Sequence, residues 1–355
     1  MPKPFNLGVL QLSMEPVRET VAMAKACEQA GFDAFWIAEA YPWWRKHSFE
    51  ARSSTAILAV IAQETRRMQL GWGIISPYTR HPVQIAMEAR VMQDLAGDRF
   101  LLGLGASKIF MKEIGKGEGE KIAPATVMRE SIEVVSGVLK GDAFEYQGRV
   151  FAASVPPLKP DAHTPRGIPP VYVAATGPVL QKMAGSLGDG LLTASITTPA
   201  FVRYSKKNLE EGARKAGKDP GKLILGSVIV GSIARDSAKG KEGAREQAAM
   251  YLANKVQNIQ GTAEVLLECA GLTFDELRPI ADAMEKGGRK LAAGAVTVEI
   301  LRKVCPIAGT PDDCIRQIEE YRAAGCTHIL LEIWGDDRTG QAKLFGEAVL
   351  PHFKK

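Results

Sequence analysis

The stretch MQLGWGIISPYTRHPVQIAMEARVMQDLAGDRFLLGLG, residues 68–105, decides the fold. Met68 to Ile75 reads as a strand and Val83 to Leu95 as an amphipathic helix. Phe100 to Gly105 is a second strand, ending in the glycine run Gly103-Leu104-Gly105-Ala106-Ser107. Two apolar strands joined through a helix are parallel neighbours, because only a crossover of that length returns the chain to start in the same direction. Working outward, Phe5 to Gln11 reads as a strand, Glu15 to Ala30 as a helix closed by Gly31, and Ser53 to Thr65 as another helix. Between them Ala34 to Ala38 (AFWIA) is apolar at every position, as in a strand buried on both faces. Downstream the alternation resumes with strands at Pro170–Ala175, Asp189–Ala194 and Leu223–Ile233, separated by helices at Gly177–Leu187 and Pro199–Ala216. Thr310-Pro311-Asp312 opens a helix to Ala324, followed by a strand at Thr327–Ile333 and a helix at Gln341–Phe353.

Eight strands alternating with helices predict an α/β fold, a (β/α)8 TIM barrel forming a single domain over residues 1–355. The competing architecture, an open doubly wound sheet, would need G-x-G-x-x-G after the first strand, and Gly8 to Glu15 holds one glycine. Two segments fall outside the rhythm. Residues 108–152 read as a loop and hairpin insertion, with a polar loop, a helix at Ala125–Leu139 and a hairpin at Phe144–Phe151. Residues 239–303 are Ala-rich and helical without a strand, and read as a helical insertion.

At 355 residues, 46% hydrophobic and 24% charged, the composition excludes disordered, collagen-like and coiled-coil chains. No apolar run is long enough to span a bilayer, and Met1-Pro2-Lys3-Pro4 leads straight into the first strand, so a cytoplasmic protein with no membrane partner is expected. The five cysteines form no C-x-x-C pair and read as reduced thiols. A net charge of +5 spread among acids suits an anionic cofactor or small-molecule substrate, not a nucleic acid. The dispersed histidines provide no metal-ligand spacing, so no metal is expected; neither a G-x-S-x-G elbow nor a phosphate-binding P-loop occurs. Redox chemistry with an organic cofactor remains.

In a barrel the chemistry gathers at the C-terminal ends of the strands. Those ends hold Gln11, Glu39, Ile74 to Ser76, Gly103 to Ser107, Thr176-Gly177-Pro178, Thr193 to Ser195, and Glu332 with Trp334. Thr176 is placed to cap a helix starting at Gly177, which would aim free N–H groups at an anion or else form an ordinary cap. Glu39, beside Tyr41-Pro42-Trp43-Trp44, reads either as a carboxyl with a raised pKa that donates a proton or as a loop glutamate.

These motifs resemble the luciferase-like monooxygenase superfamily, in particular its deazaflavin-dependent oxidoreductase branch, which includes methylenetetrahydromethanopterin reductase. The likeness spans nearly the whole chain. It is carried by Gly73-Ile74-Ile75-Ser76-Pro77-Tyr78-Thr79-Arg80-His81-Pro82, Gly97-Asp98-Arg99-Phe100, Tyr172-Val173-Ala174-Ala175-Thr176-Gly177-Pro178, Asp189-Gly190 and Ala308-Gly309-Thr310-Pro311-Asp312-Asp313. The resemblance implies coenzyme F420 at the C-terminal face, with FMN as the alternative cofactor, and hydride transfer to or from a methylene-tetrahydropterin-like, enone or carbonyl substrate. It implies a non-prolyl cis peptide at Gly73-Ile74, with Ile75 and Ser76 beside it backing the ring, and a phosphate near Thr176 and Gly177. Gly105, Ala106, Ser107, Ala174, Ala175, Pro178 and Thr193 complete the implied cofactor site, and Arg80 or Lys108 would meet an anionic tail. Glu39, with Glu332 in reserve, is the candidate catalytic proton donor. The resemblance also implies a homodimer, with the second and third strands and their helices near the interface. Two departures stand out: Glu39-Ala40 occupies the place of an Asp-His pair common in the branch, and Lys108 that of an acid. An FMN-dependent monooxygenase and a barrel that only binds a ligand therefore stay open as other functions.

Overall fold

The computed structural model describes residues 5–39, 51–106, 123–164, 167–194, 196–257 and 263–354. Its strands are β1 (Asn6–Leu12), β2 (Ala34–Ala38), β3 (Gln69–Trp72), β4 (Phe100–Gly105), β5 (Phe144–Gln147), β6 (Ala152–Val155), β7 (Val171–Ala174), β8 (Gly190–Thr193), β9 (Ile224–Ile233), β10 (Ile307–Gly309) and β11 (His328–Ile333). Its helices are α1 (Val17–Ala30), α2 (Ser54–Glu64), α3 (Pro82–Ala96), α4 (Pro124–Leu139), α5 (Pro178–Leu187), α6 (Pro199–Lys215), α7 (Ser237–Gln257), α8 (Ala263–Ala270), α9 (Phe274–Ala295), α10 (Val298–Val304), α11 (Pro311–Ala323), α12 (Arg338–Ala348) and α13 (Leu350–Phe353).

Parallel pairing runs β1-β2-β3-β4-β7-β8-β9-β11 and returns to β1, so the sheet closes into the expected (β/α)8 barrel. β10 is an addition the sequence pattern does not show: three residues are too few to display a period, and the pattern of the final unit starts only at Thr310. β9 accommodates it by being long. Its residues 224–227 pair with β8 and its residues 231–233 pair with β10.

Inside the barrel, Leu10, Trp36, Leu101, Tyr172, Leu192, Val228 and Leu330 form the core cluster. Trp36 is fully buried and meets Tyr172 edge-on at 5.3 Å and His328 at 5.9 Å between ring centroids. The register sets Trp36 directly beside Gly71, where a Cβ would lie 2.2 Å from the indole; glycine there is the space into which the ring fits. Gly103 answers to backbone in the same way, since its Cβ would come within 1.8 Å of the Trp72 carbonyl. Outward-facing Phe35 and Ile37 belong instead to the larger core between the strands and their helices.

Around residues 108–152, α4 packs between α3 and α5 in the helical ring, and the β5–β6 hairpin stands apart as a separate two-stranded sheet. Glu130 of α4 pins the hairpin turn by accepting N–H bonds from Arg149, Val150 and Phe151 at 2.8, 2.8 and 2.9 Å. The expected helical insertion is α7 to α10. Its own core, including Ala248, Leu252, Leu277, Ile280 and Val296, gathers in Met14, Ile196 and Trp334 from the loops after β1, β8 and β11. The insertion therefore roofs that side of the barrel's C-terminal rim.

Candidate active site

At the rim opposite the roof, β3 ends earlier than its apolar run suggests. The ladder stops at Trp72, the Gly73–Ile74 peptide is cis as expected, and Ile75 rejoins β4 by exchanging N–H bonds with Gly103 and Gly105 at 2.9 and 3.1 Å. A Cβ on Gly105 would fall 2.8 Å from Ile74 Cγ1 and 3.2 Å from the Ala174 Cβ. Ile74, Gly105 and Ala174 thus make a close patch across the ends of β3, β4 and β7, with no room for a side chain at position 105. Ser76 is buried beside it, its hydroxyl donating to the Ala106 carbonyl at 3.1 Å. Ser107, Lys108, Tyr41, Trp43 and Trp44 lie outside the described residues.

The helix after β7 corrects one expectation. Thr176 does not cap it: α5 begins at Pro178, its N-cap is Gly177, and no side chain caps it. Thr176 and Ala175 instead accept from the Gln181 amide at 3.0 and 3.4 Å through their carbonyls. The first-turn N–H groups of Val179 and Leu180 are consequently left without a side-chain acceptor at the positive end of the helix dipole, which is the arrangement that receives an anion. Thr193 faces the other way. It is 1% exposed, and its hydroxyl donates to Ser227 Oγ at 2.9 Å.

The two candidate acids differ in register. On β2, Ala34, Trp36 and Ala38 point inward, so Glu39 falls on the outer side of the rim. There it accepts from Ser54 at 3.3 Å and pairs with Arg80, which also bridges to Glu88 at 2.6 Å. Arg80, expected to meet an anionic tail, is thereby held by two carboxylates. Burial lifts the Glu39 pKa, and the Arg80 guanidinium opposes the rise. Glu39 Oε2 is buried with no partner among the described residues.

On β11, His328 and Leu330 face the interior, and Glu332 continues that row at the mouth. Its carboxyl is 2% exposed and accepts from Gln247 Nε2 and from the Tyr251 hydroxyl, the latter at 2.5 Å. Burial pushes its pKa up to about 7, with the Tyr251 hydrogen bond and Arg338 opposing. Gln247 Oε1 is buried without a partner; turning the amide over would offer that oxygen to the protonated carboxyl. Neither Gln247 nor Tyr251 stood out in the sequence, where they are a polar i, i+4 pair in an Ala-rich helix. The fold alone brings them onto a strand end more than eighty residues away.

A family model, luciferase-like monooxygenase, matches residues 4–328. The chain belongs to the luciferase-like monooxygenase family. Among its relatives, a 5,10-methylenetetrahydromethanopterin reductase of Archaeoglobus fulgidus is 30% identical over 93% of this chain and 94% of its own. An F420-dependent glucose-6-phosphate dehydrogenase of Rhodococcus erythropolis is 28% identical over 95% of this chain and 94% of its own. The solved structure of the coenzyme F420 dependent tetrahydromethanopterin reductase from Methanopyrus kandleri superposes with a TM-score of 0.85 at 28% identity, covering 99% of this chain and all of that one.

Proposed function

We propose that this luciferase-like family member is an F420-dependent oxidoreductase. The observation that carries the proposal is the close patch Ile74–Gly105–Ala174 at the strand ends, with its cis peptide, followed in the chain by the uncapped N-terminus of α5. A flat ring fits the first and a phosphate the second. Relatives named for F420, matching from end to end, favour that cofactor over FMN. Gly73, Ile74, Ile75 and Ser76 would back the ring, Gly105, Ala106, Ala174 and Ala175 would floor it, and Gly177 to Leu180 would hold the phosphate. Bound there, the deazaflavin supplies hydride chemistry at C5.

The chain's own part is orientation and proton handling. Glu332, the inward-facing acid, keeps a proton near neutral pH and is placed under Tyr251 to supply it as hydride arrives at a carbonyl, enone or pterin-like carbon. Glu39 fixes Arg80 at the opposite rim. The protein acts on a small molecule and, in this proposal, does so in the cytoplasm; no helix of the described residues is long and apolar enough to cross a membrane. A homodimer is part of the proposal: Val60 of α2 and Met87 and Val91 of α3 expose apolar side chains on neighbouring helices.

Titrating the purified protein with F420 and with FMN, followed by tryptophan fluorescence, tests the cofactor. Saturable binding of F420 with little response to FMN is expected. Preference for FMN would redirect the search to oxygen-consuming chemistry, and binding of neither would leave a ligand-binding barrel.

A further inference from the structure

The proton on Glu332 is held in a closed place. Both carboxyl oxygens are taken, Oε1 by the Gln247 amide and Oε2 by the Tyr251 hydroxyl at 2.5 Å, and the residue is 2% exposed. A carboxyl so covered makes no direct contact with a molecule at the mouth, and its proton leaves through one of its two partners. Those partners differ in kind. Gln247 is fully buried, and an amide takes part in a hydrogen bond without passing the proton on. Tyr251 is half-buried, and a phenol both donates and accepts, so it takes a proton at its oxygen as it gives up the one it carries.

The contacts of the Tyr251 ring put it at the inner side of the rim. It packs with Val230 of β9 and Ala308 of β10. Val230 follows Val228, a member of the barrel's interior cluster, by two residues and so faces inward, as Glu332 does by following Leu330. The register pairs Glu332 with Val230 itself, so the ring lies on one member of an inward-facing pair and its hydroxyl on the other. The order of acidities suits the direction of travel. Burial lifts Glu332 to about 7 against the Tyr251 hydrogen bond and the Arg338 charge, while burial and the neighbouring carboxyl hold the phenol above its ordinary value. A phenolate formed at Tyr251 is therefore the stronger base of the two and recovers a proton from Glu332.

We propose that Tyr251 is a catalytic residue: its hydroxyl hands the proton to the hydride acceptor, and Glu332 behind it is the reservoir that restores it. This deepens the F420 proposal and rests on it for the source of hydride. With a carbonyl or enone acceptor, hydride from the reduced cofactor forms the new C–H bond and the displaced π electron pair ends on the acceptor oxygen. That oxygen takes the Tyr251 proton as the phenol O–H bond breaks, and the phenolate takes the carboxyl proton of Glu332. The acceptor has then gained the two electrons that the cofactor lost, and water returns a proton to the carboxylate.

The first test needs no cofactor. Wild-type protein is treated separately with N-acetylimidazole, which acylates phenols, and with a carbodiimide and glycine ethyl ester, which amidate carboxyls, and the peptides are mapped by mass spectrometry. Acylation of Tyr251 with Glu332 left unmodified is expected. Amidation of Glu332 overturns the proposal, because the carboxyl then reaches ligands itself, and so does a Tyr251 left unmodified. Acylation repeated with F420 keeps the two readings apart: failure of F420 to bind sinks the cofactor assignment and leaves the labelling result standing, whereas bound F420 that does not protect Tyr251 overturns the proposal alone. Turnover of acetone and 2-cyclohexen-1-one then separates donation from positioning. Tyr251→Phe keeps the ring's packing and should lose about 10²–10⁴-fold in kcat with an unchanged Kd for F420 and no recovery at any pH. A Tyr251→Phe enzyme that keeps its kcat, with its pH limb moved upward by the lost hydrogen bond, would make Tyr251 a positioning residue for Glu332 and overturn the proposal.

Discussion

Glu332 sits under a tyrosine hydroxyl and a glutamine amide, out of water, at the end of the inward-facing row of β11. A carboxyl so placed is poised to titrate near pH 7 because burial disfavours its charge more than the Tyr251 hydroxyl and the Arg338 charge favour it. If it gives up its proton in the reaction, kcat/KM should fall as pH rises through about 7. Glu332→Gln, which keeps the shape and removes the proton, should lose about 10²–10⁴-fold in turnover and the pH limb with it, while still binding F420. A variant that keeps the wild-type limb would take Glu332 out of the mechanism. The sequence named both acids but ranked them by neighbourhood, preferring Glu39 for its aromatic flank. Strand register, which the alternation of β2 and β11 encodes, puts Glu332 inward and Glu39 outward. The ranking needed the exact end of each strand, and a one-residue shift in that end reverses the face.

At the scale of the element, β11 carries two buried groups of opposite type on the same face, His328 and Glu332. Burial pushes the His328 pKa down to about 4, so it folds neutral. For a base whose folded pKa is depressed, stability is full above the unfolded value near 6.5 and is lost as pH falls toward 4. For Glu332, whose folded pKa is raised, stability is full below about 4.3 and is lost as pH rises through about 7. Each effect amounts to about 3 kcal/mol, and across the interval they share the two slopes oppose and largely cancel. Urea unfolding of Glu332→Gln between pH 4.5 and 6.5 should therefore gain stability with pH by about 3 kcal/mol relative to wild type, and His328→Asn should lose a similar amount. Identical slopes in all three proteins would sink the cancellation. Other elements were legible from pattern to within a residue or two, as with Ala34–Ala38 and Phe100–Gly105, because unbroken apolar runs bounded by turn residues leave few alternatives. β3 was read too long. The apolar run continues through Ile74 and Ile75, but the cis peptide takes those residues out of the ladder, and hydrophobicity carries no record of a peptide's isomer.

For the molecule as a whole, closure of the barrel followed from counting alternations, whereas the placing of the insertion did not. An Ala-rich helical stretch shows that it will pack, but not on what. That depended on Met14, Ile196 and Trp334, three apolar residues in separate loops, becoming one floor once the barrel forms. Assembly beyond the single chain is testable on the exposed apolar side chains of α2 and α3. Light scattering after size exclusion should give a dimer for wild type and a monomer for Val60→Asp combined with Met87→Glu. A variant that stays dimeric would move the interface elsewhere.

The roof's attachment has a further consequence. The chain leaves the barrel at the end of β9 and re-enters at β10, which is paired with it residue for residue: Ile307 with Gly231, Ala308 with Ser232 and Gly309 with Ile233. Departure and return are thus a hydrogen bond apart, Ala234 donating to the Gly309 carbonyl at 3.0 Å. Everything between is a cassette on a fixed socket, so α7 to α10 can be exchanged for another sequence without opening the barrel or disturbing β3, β4 and β7, as long as the replacement keeps partners for Glu332. Such a chain can change what it reduces while keeping what it reduces it with.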